Sequence, residues 1–517
     1  MYSLVEIAAV VCLVWSFFII VIEAIGITAI FKNFSRPPRA GISPTLGQDA
    51  PLVTIIRPVK DLEPGLYECI ASSFRQTYPP SRLSIRLCVE DRSDPAYPVL
   101  ERLVADFPHV DARVMVETDS SATQVQNLGP NPKIRNISRA YAEARGDIIW
   151  VMDCNVWAAP GVLGRMVDKL VGYSGSNGAV TPYKLVHQLP IVVDVPGTSR
   201  PSTPCLEHQS LLSSPLASSP RGTSPSVLTR GGGRLDEMFM ATTHAKFYGA
   251  INIVSVAPCI VGKSNMFRKS HLDRATDPEQ NPALPKNDYL SRPKGVDYFS
   301  HNICEDHSIG ELLWHTAIPG HANHGLVWGD LAVQPVSGVP VPAYVARRVR
   351  WLRARKFTVL AATLVEPGIE SLLCGVYASF GLTTVPLVGE LTSIPRTWSA
   401  MAVVWLVFVT SWMLADWAVF CRLHALESNT DVEDENTPTF VRRGTTTARS
   451  FAEWLPVWIG REVLALPIWT WAVLLGGTIN WRGKTFKVRF DTTVKEVPAS
   501  SESLVNGHQN GNKNRVD

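Results

Sequence analysis

At 517 residues, 46% of them hydrophobic, and with a mean hydropathy of +0.07, the chain is too long for one small domain and too apolar to lie wholly in water. A net charge of +3 gives no warrant for a nucleic-acid partner. Nine cysteines without a C-x-x-C pair suit a reducing, cytosol-facing domain better than a disulfide scaffold.

Residues 7–31 are apolar except for Glu23, long enough to cross a hydrocarbon layer of roughly 30 Å as a helix. The stretch is too long, and lacks the basic start, for a cleaved signal. Lys32, Arg36 and Arg39 follow it, and the positive-inside rule then places the next domain in the cytosol. Residues 1–34 are therefore expected to be an N-terminal transmembrane helix, and residues 50–365 a cytosolic domain.

Between residues 50 and 185, short β-branched runs alternate with helical patterns. The runs cover 52–57, 66–76, 85–90, 99–107, 112–117, 133–144, 148–153 and 161–171. Such alternation predicts βαβ units, hence an α/β fold with a mostly parallel, Rossmann-like sheet, helices on both faces, and ligand binding at the carboxyl ends of its strands. Residues 195–233, dense in Ser, Pro, Thr and Gly, are expected to be a disordered insertion. Residues 277–294 read as a second polar loop and 491–517 as a disordered tail.

An interfacial helix is expected near 343–360, with Arg353, Arg355 and Lys356 facing lipid headgroups, and a membrane region over 366–490. That region holds three segments free of charge, 371–389, 397–415 and 463–480. Four full crossings would carry the basic residues Arg482, Lys484, Lys487 and Arg489 away from the cytosol. The last segment, with Arg461-Glu462 at its start and Pro467 within it, is therefore read as the re-entrant or interfacial one.

The chemistry is carried by four motifs in order. They are Glu90-Asp91-Arg92-Ser93-Asp94, Asp153-Cys154-Asn155, Glu305-Asp306-His307 and Arg347-Arg348-Val349-Arg350-Trp351. A nucleotide diphosphate needs either a divalent cation held by carboxylates or arginines, and both are present. Asp91 and Asp94 follow a strand, placed to grip the uridine and ribose side of a sugar nucleotide. Asp153 ends a buried hydrophobic run where a metal bridging the phosphates would sit. Taken singly, an aspartate at a strand end is commonly a turn or helix cap. Asp306 precedes a helical pattern and is the choice for a base at the acceptor hydroxyl. Arg347, Arg350 and Trp351, at i, i+3 and i+4, share a helix face suited to a departing diphosphate.

These motifs occur together with Arg57-Pro58-Val59-Lys60, Asn131-Pro132-Lys133 with Asn136, Leu185-Val186-His187, and Thr243-His244 ahead of Asn252. In this combination the chain resembles the ceramide glucosyltransferases, the membrane enzymes that make glucosylceramide. The likeness covers roughly residues 50–190 and 234–365, the flanking apolar segments and Trp481-Arg482. It implies a GT-A-type fold, UDP-glucose as donor, ceramide as acceptor, inversion at the anomeric carbon, a Mg²⁺ or Mn²⁺ ion, and a multi-pass protein of Golgi or ER membranes. By position it implies Asp306, His244, Arg347, Arg350 and Trp351 as catalytic residues. Asp91, Asp94, Lys133, Asp153 and Cys259 fall on the donor side, with Asp153 as the metal ligand and Cys259 the cysteine linked to inhibitor sensitivity. Glu90 stands where a glutamine is common. Arg347 stands where processive polymerases carry glutamine, which favours the ceramide enzymes. A processive synthase of chitin or hyaluronan type, or a catalytically silent membrane scaffold, are the alternatives.

Overall fold

The structure, a computed structural model, describes residues 3–119, 128–174, 180–195, 230–284, 292–425, 437–442, 449–481 and 484–497. The chain opens with helix α1 (Leu4–Asn33), started by a reciprocal capping box between Ser3 and Glu6. The predicted sheet follows. Its seven strands are β1 (Val53–Pro58), β2 (Leu83–Val89), β3 (Asp111–Val116), β4 (Ile148–Met152), β5 (Tyr183–Asp194), β6 (Ser264–Arg268) and β7 (Ala322–Val336). Their order is β3-β2-β1-β4-β6-β5-β7, parallel throughout except for β6, which runs antiparallel between β4 and β5.

Alternation along the strands splits the core between two faces. Val53, Ile55 and Trp150 pack under α2 (Leu66–Phe74), α3 (Tyr97–Asp106) and α5 (Val162–Val171). Ile56 and Ile149 pack under α4 (Pro132–Ala142) on the other face. Asn131 caps α4, its side-chain oxygen accepting from the backbone of Lys133 at 2.8 Å and of Ile134 at 3.2 Å. The helices α6 (Gly232–Phe239), α7 (Ala245–Val254), α8 (Glu305–His315) and α9 (Val341–Arg355) complete the domain.

Among the described residues, three helices are long and apolar enough to cross a membrane: Leu4–Asn33, Trp398–His424 and Phe451–Leu474. A fourth span is possible in the pair Leu360–Ile369 and Ser371–Thr384, bent by 73°. We label the second half of that pair α10 (Ser371–Thr384), with α11 (Trp398–His424) and α12 (Phe451–Trp469) after it. Close backbone approach at Gly26, where a Cβ would collide with the Lys246 carbonyl, seats α1 on α7. The passages alternate in direction. α1 runs toward the domain, the bent pair leads away from it, with Glu366 paired to Arg348 and Gly381 lying on Leu13, and α11 returns to set Arg422 over Phe31.

α12 behaves differently, because both of its ends are held by the same domain. At its start Arg449 donates to the Asp194 carbonyl at 2.6 Å. At its end Arg353 donates to the Thr478 carbonyl at 2.9 Å and Lys356 to that of Val473 at 2.6 Å. Both ends of the helix therefore lie at the domain, with Ile459, Val463, Leu466 and Trp471 exposed along it.

Several boundaries differ from the sequence reading. The apolar segment at 463–480 is displaced: the helix starts at Phe451 and strand β8 (Thr478–Trp481) begins before the segment ends. Arg461 and Glu462 do not terminate it, because Arg461 is buried and paired to Glu370 at 2.7 Å as well as to Glu462. The apolar helices accordingly stop near 474 and not 490. Residues 491–497 are not tail, since β10 (Val494–Val497) pairs with β9 (Lys484–Val488) and Val494 donates to the His301 carbonyl at 2.8 Å. The rest of the expected tail, Arg482, and residues 196–229 of the expected insertion lie outside the described residues. Gly232 and Gly233 belong to α6 and not to the insertion. Arg353 and Lys356 cap the end of the α12 segment instead of facing headgroups, and Arg355 pairs with Glu366.

Candidate active site

The site forms where β4 ends and β6 begins. Asp153, one residue past β4, receives Lys133 on one oxygen at 3.1 Å and Lys263 on the other at 3.0 Å. Lys133 also reaches Glu305 at 3.0 Å, and Asn131 donates to the second Glu305 oxygen at 3.1 Å. Glu305 and Asp306 occupy the first turn of α8, where the helix dipole favours negative charge. Burial pushes the Asp153 carboxyl up, but the two ammonium groups outweigh it and hold it well below the ordinary range. Burial would lower Lys133, yet Asp153, Glu305 and Asp306 raise it. Asp306 stands higher than an ordinary carboxylate, first by burial, with Asp153 adding repulsion and Lys133 opposing it. One group is thus fixed as an anion and its neighbour is biased toward taking a proton.

The strap from Cys259 to Lys263 threads this cluster. A Cβ on Gly262 would lie 2.8 Å from the Asp306 carboxylate, so only glycine lets the strap pass. Tyr248 places its hydroxyl 2.5 Å from His187 Nδ1, and that oxygen also accepts from the Val261 backbone. His244 stacks on Tyr248 with ring centroids 5.2 Å apart. Burial and the charges of Arg348 and Arg355 lower its ring pKa to about 3, leaving it neutral at neutral pH. Burial lifts the Cys259 thiol to about 12, so it stays protonated.

Asp91 and Asp94 belong to a different set of hydrogen bonds at the same sheet edge, on the loop after β2. Asp94 accepts from the backbone of Asp61 at 3.1 Å and of Ala96 at 2.8 Å, bracing the left-handed turn at Asp61 (φ 57°). Asp91 accepts from Ser93 at 2.7 Å. On α9, Arg347 pairs with Asp236 at 2.7 Å and lies 4.7 Å over the Trp351 ring, which packs on Val192, Phe239 and Met240. Arg350 is half-buried on the same helix. The geometry therefore joins Asp153, Lys133 and Glu305 directly, with Asp306 next to Glu305 and within their electrostatic reach, while Asp94 and Arg347 are engaged in bonds of their own.

Sequence reasoning missed Lys263, Gly262, Tyr248 and Arg355. Arg355 pairs with Glu366, and its charge helps to lower the proton affinity of His244, Cys259, Cys304 and His307. A glycine flanked by Val261 and Lys263 just before a strand was the one local signal. The others depend on cross-strand pairing and helix packing.

The charged edge of this mostly parallel sheet, in a chain tethered by apolar helices, is that of a membrane-attached glycosyltransferase. The chain belongs to glycosyl transferase family 21, whose model matches residues 15–197 and 283–494. Ceramide glucosyltransferase of Gibberella zeae is 54% identical over 514 residues, covering 97% of this chain and 96% of that one. The enzyme of the same name from Pyricularia oryzae is 51% identical over 494 residues, covering 94% of each. That of Candida albicans is 36% identical, covering 86% and 88%. Among solved structures, the mannosyltransferase PcManGT from Pyrobaculum calidifontis, in complex with GDP-Man and Mn²⁺, aligns with a TM-score of 0.39 at 14% identity, covering 81% of this chain and 99% of that one.

Proposed function

We propose that the protein transfers glucose from UDP-glucose to the primary hydroxyl of ceramide, giving glucosylceramide and UDP with inversion. The observation that carries the chemistry is Asp306, a carboxylate of raised proton affinity beside an anionic Asp153 and a cationic Lys133. The names of the near-full-length relatives support the substrates. In a single displacement the acceptor oxygen bonds to the anomeric carbon as the bond to the diphosphate breaks, and Asp306 takes the hydroxyl proton.

Lys133 sits at the centre of the cluster, within reach of the leaving diphosphate. Asp91 and Asp94 shape the loop on the nucleoside side. Arg347, Arg350 and Trp351 cover the diphosphate from α9, Arg347 being anchored by Asp236. His244, neutral on its Tyr248 shelf, lines the reaction site, and Cys259 stays with the donor side. Among the described residues no group of three or more His, Cys, Asp or Glu side chains is set for a metal. Asp153, at the end of β4, is the residue that would hold a Mg²⁺ or Mn²⁺ ion. When bound it would neutralise charge on the leaving group.

Ceramide presents its hydroxyl at the membrane surface, and α12 brings an apolar face beside the domain. We place that domain in the cytosol of Golgi or ER membranes on the strength of Lys32, Arg36 and Arg39 after α1. Nothing in the site favours a polymer product, and the relatives' names support a lipid one. The test is a side-by-side assay of UDP-glucose, UDP-galactose and UDP-N-acetylglucosamine in ceramide-containing membranes. Label from UDP-glucose is expected in the lipid extract. Label in an insoluble polymer, or preference for another donor, would overturn the proposal.

A further inference from the structure

Lys263 has no part in the reaction as described, yet it occupies one oxygen of the residue that would hold the metal. Its place is set by the sheet. Met152 pairs with Ser264 in the antiparallel register of β4 and β6, and the Asp153 backbone donates to the Lys263 carbonyl at 3.1 Å. The two residues therefore oppose each other across the strands with side chains on one face. The Lys133 and Lys263 side chains are only 11% and 12% exposed, so water and salt screen them little.

The two lysines differ in their partners. Lys133 is shared between Asp153 and Glu305, whereas the ion pair of Lys263 among the described residues is with Asp153 alone. Lys263 is thus the ammonium that can leave without unpairing a second buried carboxylate. Asp153 and Glu305 pair with these two lysines, and Asp306 adds its charge at Lys133. An incoming diphosphate would add further negative charge to a cluster already short of cations.

We propose that Lys263 is a diphosphate ligand of the donor, resting on Asp153 in the free protein, moving to a phosphate oxygen when the nucleotide enters, and competing with a divalent cation for Asp153. This rests on the donor reading above. Two consequences separate it from a purely structural ion pair. The protein should bind a nucleotide diphosphate without divalent metal through Lys263, and removal of Lys263 should open Asp153 to metal.

The test uses full-length protein in lipid nanodiscs with UDP and Mn²⁺ as probes. UDP binding is followed calorimetrically in chelator, and Mn²⁺ binding without nucleotide is followed by electron paramagnetic resonance. Lys263→Met is expected to weaken UDP binding about tenfold, the loss of one charge-assisted hydrogen bond. It is expected to tighten Mn²⁺ binding by a comparable factor. Lys263→Arg, which keeps the charge, should stay near wild type in both titrations. A Lys263→Met protein that matches wild type in either titration overturns the proposal. Wild-type protein that binds no UDP, with or without Mn²⁺, overturns the donor reading itself and takes this inference with it.

Discussion

Asp306 sits among charges of both signs, and their balance sets the pH at which it can take a proton. Burial and Asp153 raise its proton affinity above the usual carboxylate, about 3.9, while Lys133 lowers it. A base works only when ionised, so the acid limb of kcat/KM is expected above the ordinary carboxylate range. Lys133→Met removes the lowering partner, and the limb should move to still higher pH. A limb that stays in place or moves down would contradict this assignment. At this scale the sequence made the carboxylates legible, because acidic residues at strand and helix ends stand out from apolar neighbours. It left Lys263 and Tyr248 hidden, since a lysine opposite Asp153 or a tyrosine bonded to His187 becomes visible only once register and packing are known.

The helices beside the membrane are joined by buried charge. Lys246 on α7 pairs with Asp416 on α11 at 2.6 Å and with Glu23 on α1, and Arg461 on α12 reaches Asp416 at 3.5 Å. Ionisable groups in such surroundings are costly unless paired, so the cluster fixes how the helices meet. Asp416→Ala leaves Lys246 and Arg461 each short of a partner and is expected to destabilise the fold by about 3–5 kcal/mol. Thermal unfolding in detergent, followed by tryptophan fluorescence, would show this as a lowered Tm. An unchanged Tm would mean that the cluster holds nothing together. The same pairing explains why the boundary of α12 could not be read from hydropathy. A window that stops at Arg461-Glu462 treats as solvated two residues whose charges are satisfied inside the protein. α1, the alternating strands and α11 were legible because their patterns are continuous. The strand at Val494–Val497 was not, because its partners lie on another hairpin strand and on the loop before α8.

For the whole molecule, three passages alternate in direction and α12 returns to the domain it left. The described residues beyond α12 therefore lie beside the catalytic domain, Lys484, Lys487 and Arg489 among them. A tag at the C-terminus and one in the catalytic domain should be digested together by protease added from the cytosolic face of sealed microsomes. Protection of the C-terminal tag alone would mean that α12 crosses.

The central claim is that Asp306 acts as base on a membrane-borne hydroxyl while donor contacts lie elsewhere in the cluster. Its most direct measurement compares purified wild type and Asp306→Asn in ceramide nanodiscs for both UDP-glucose affinity and glucosylceramide formed per unit time. Donor affinity within about threefold of wild type and turnover reduced by about 10²–10⁴-fold are predicted, the usual worth of a positioned base. Turnover within tenfold of wild type, or donor binding lost in step with turnover, would contradict the account.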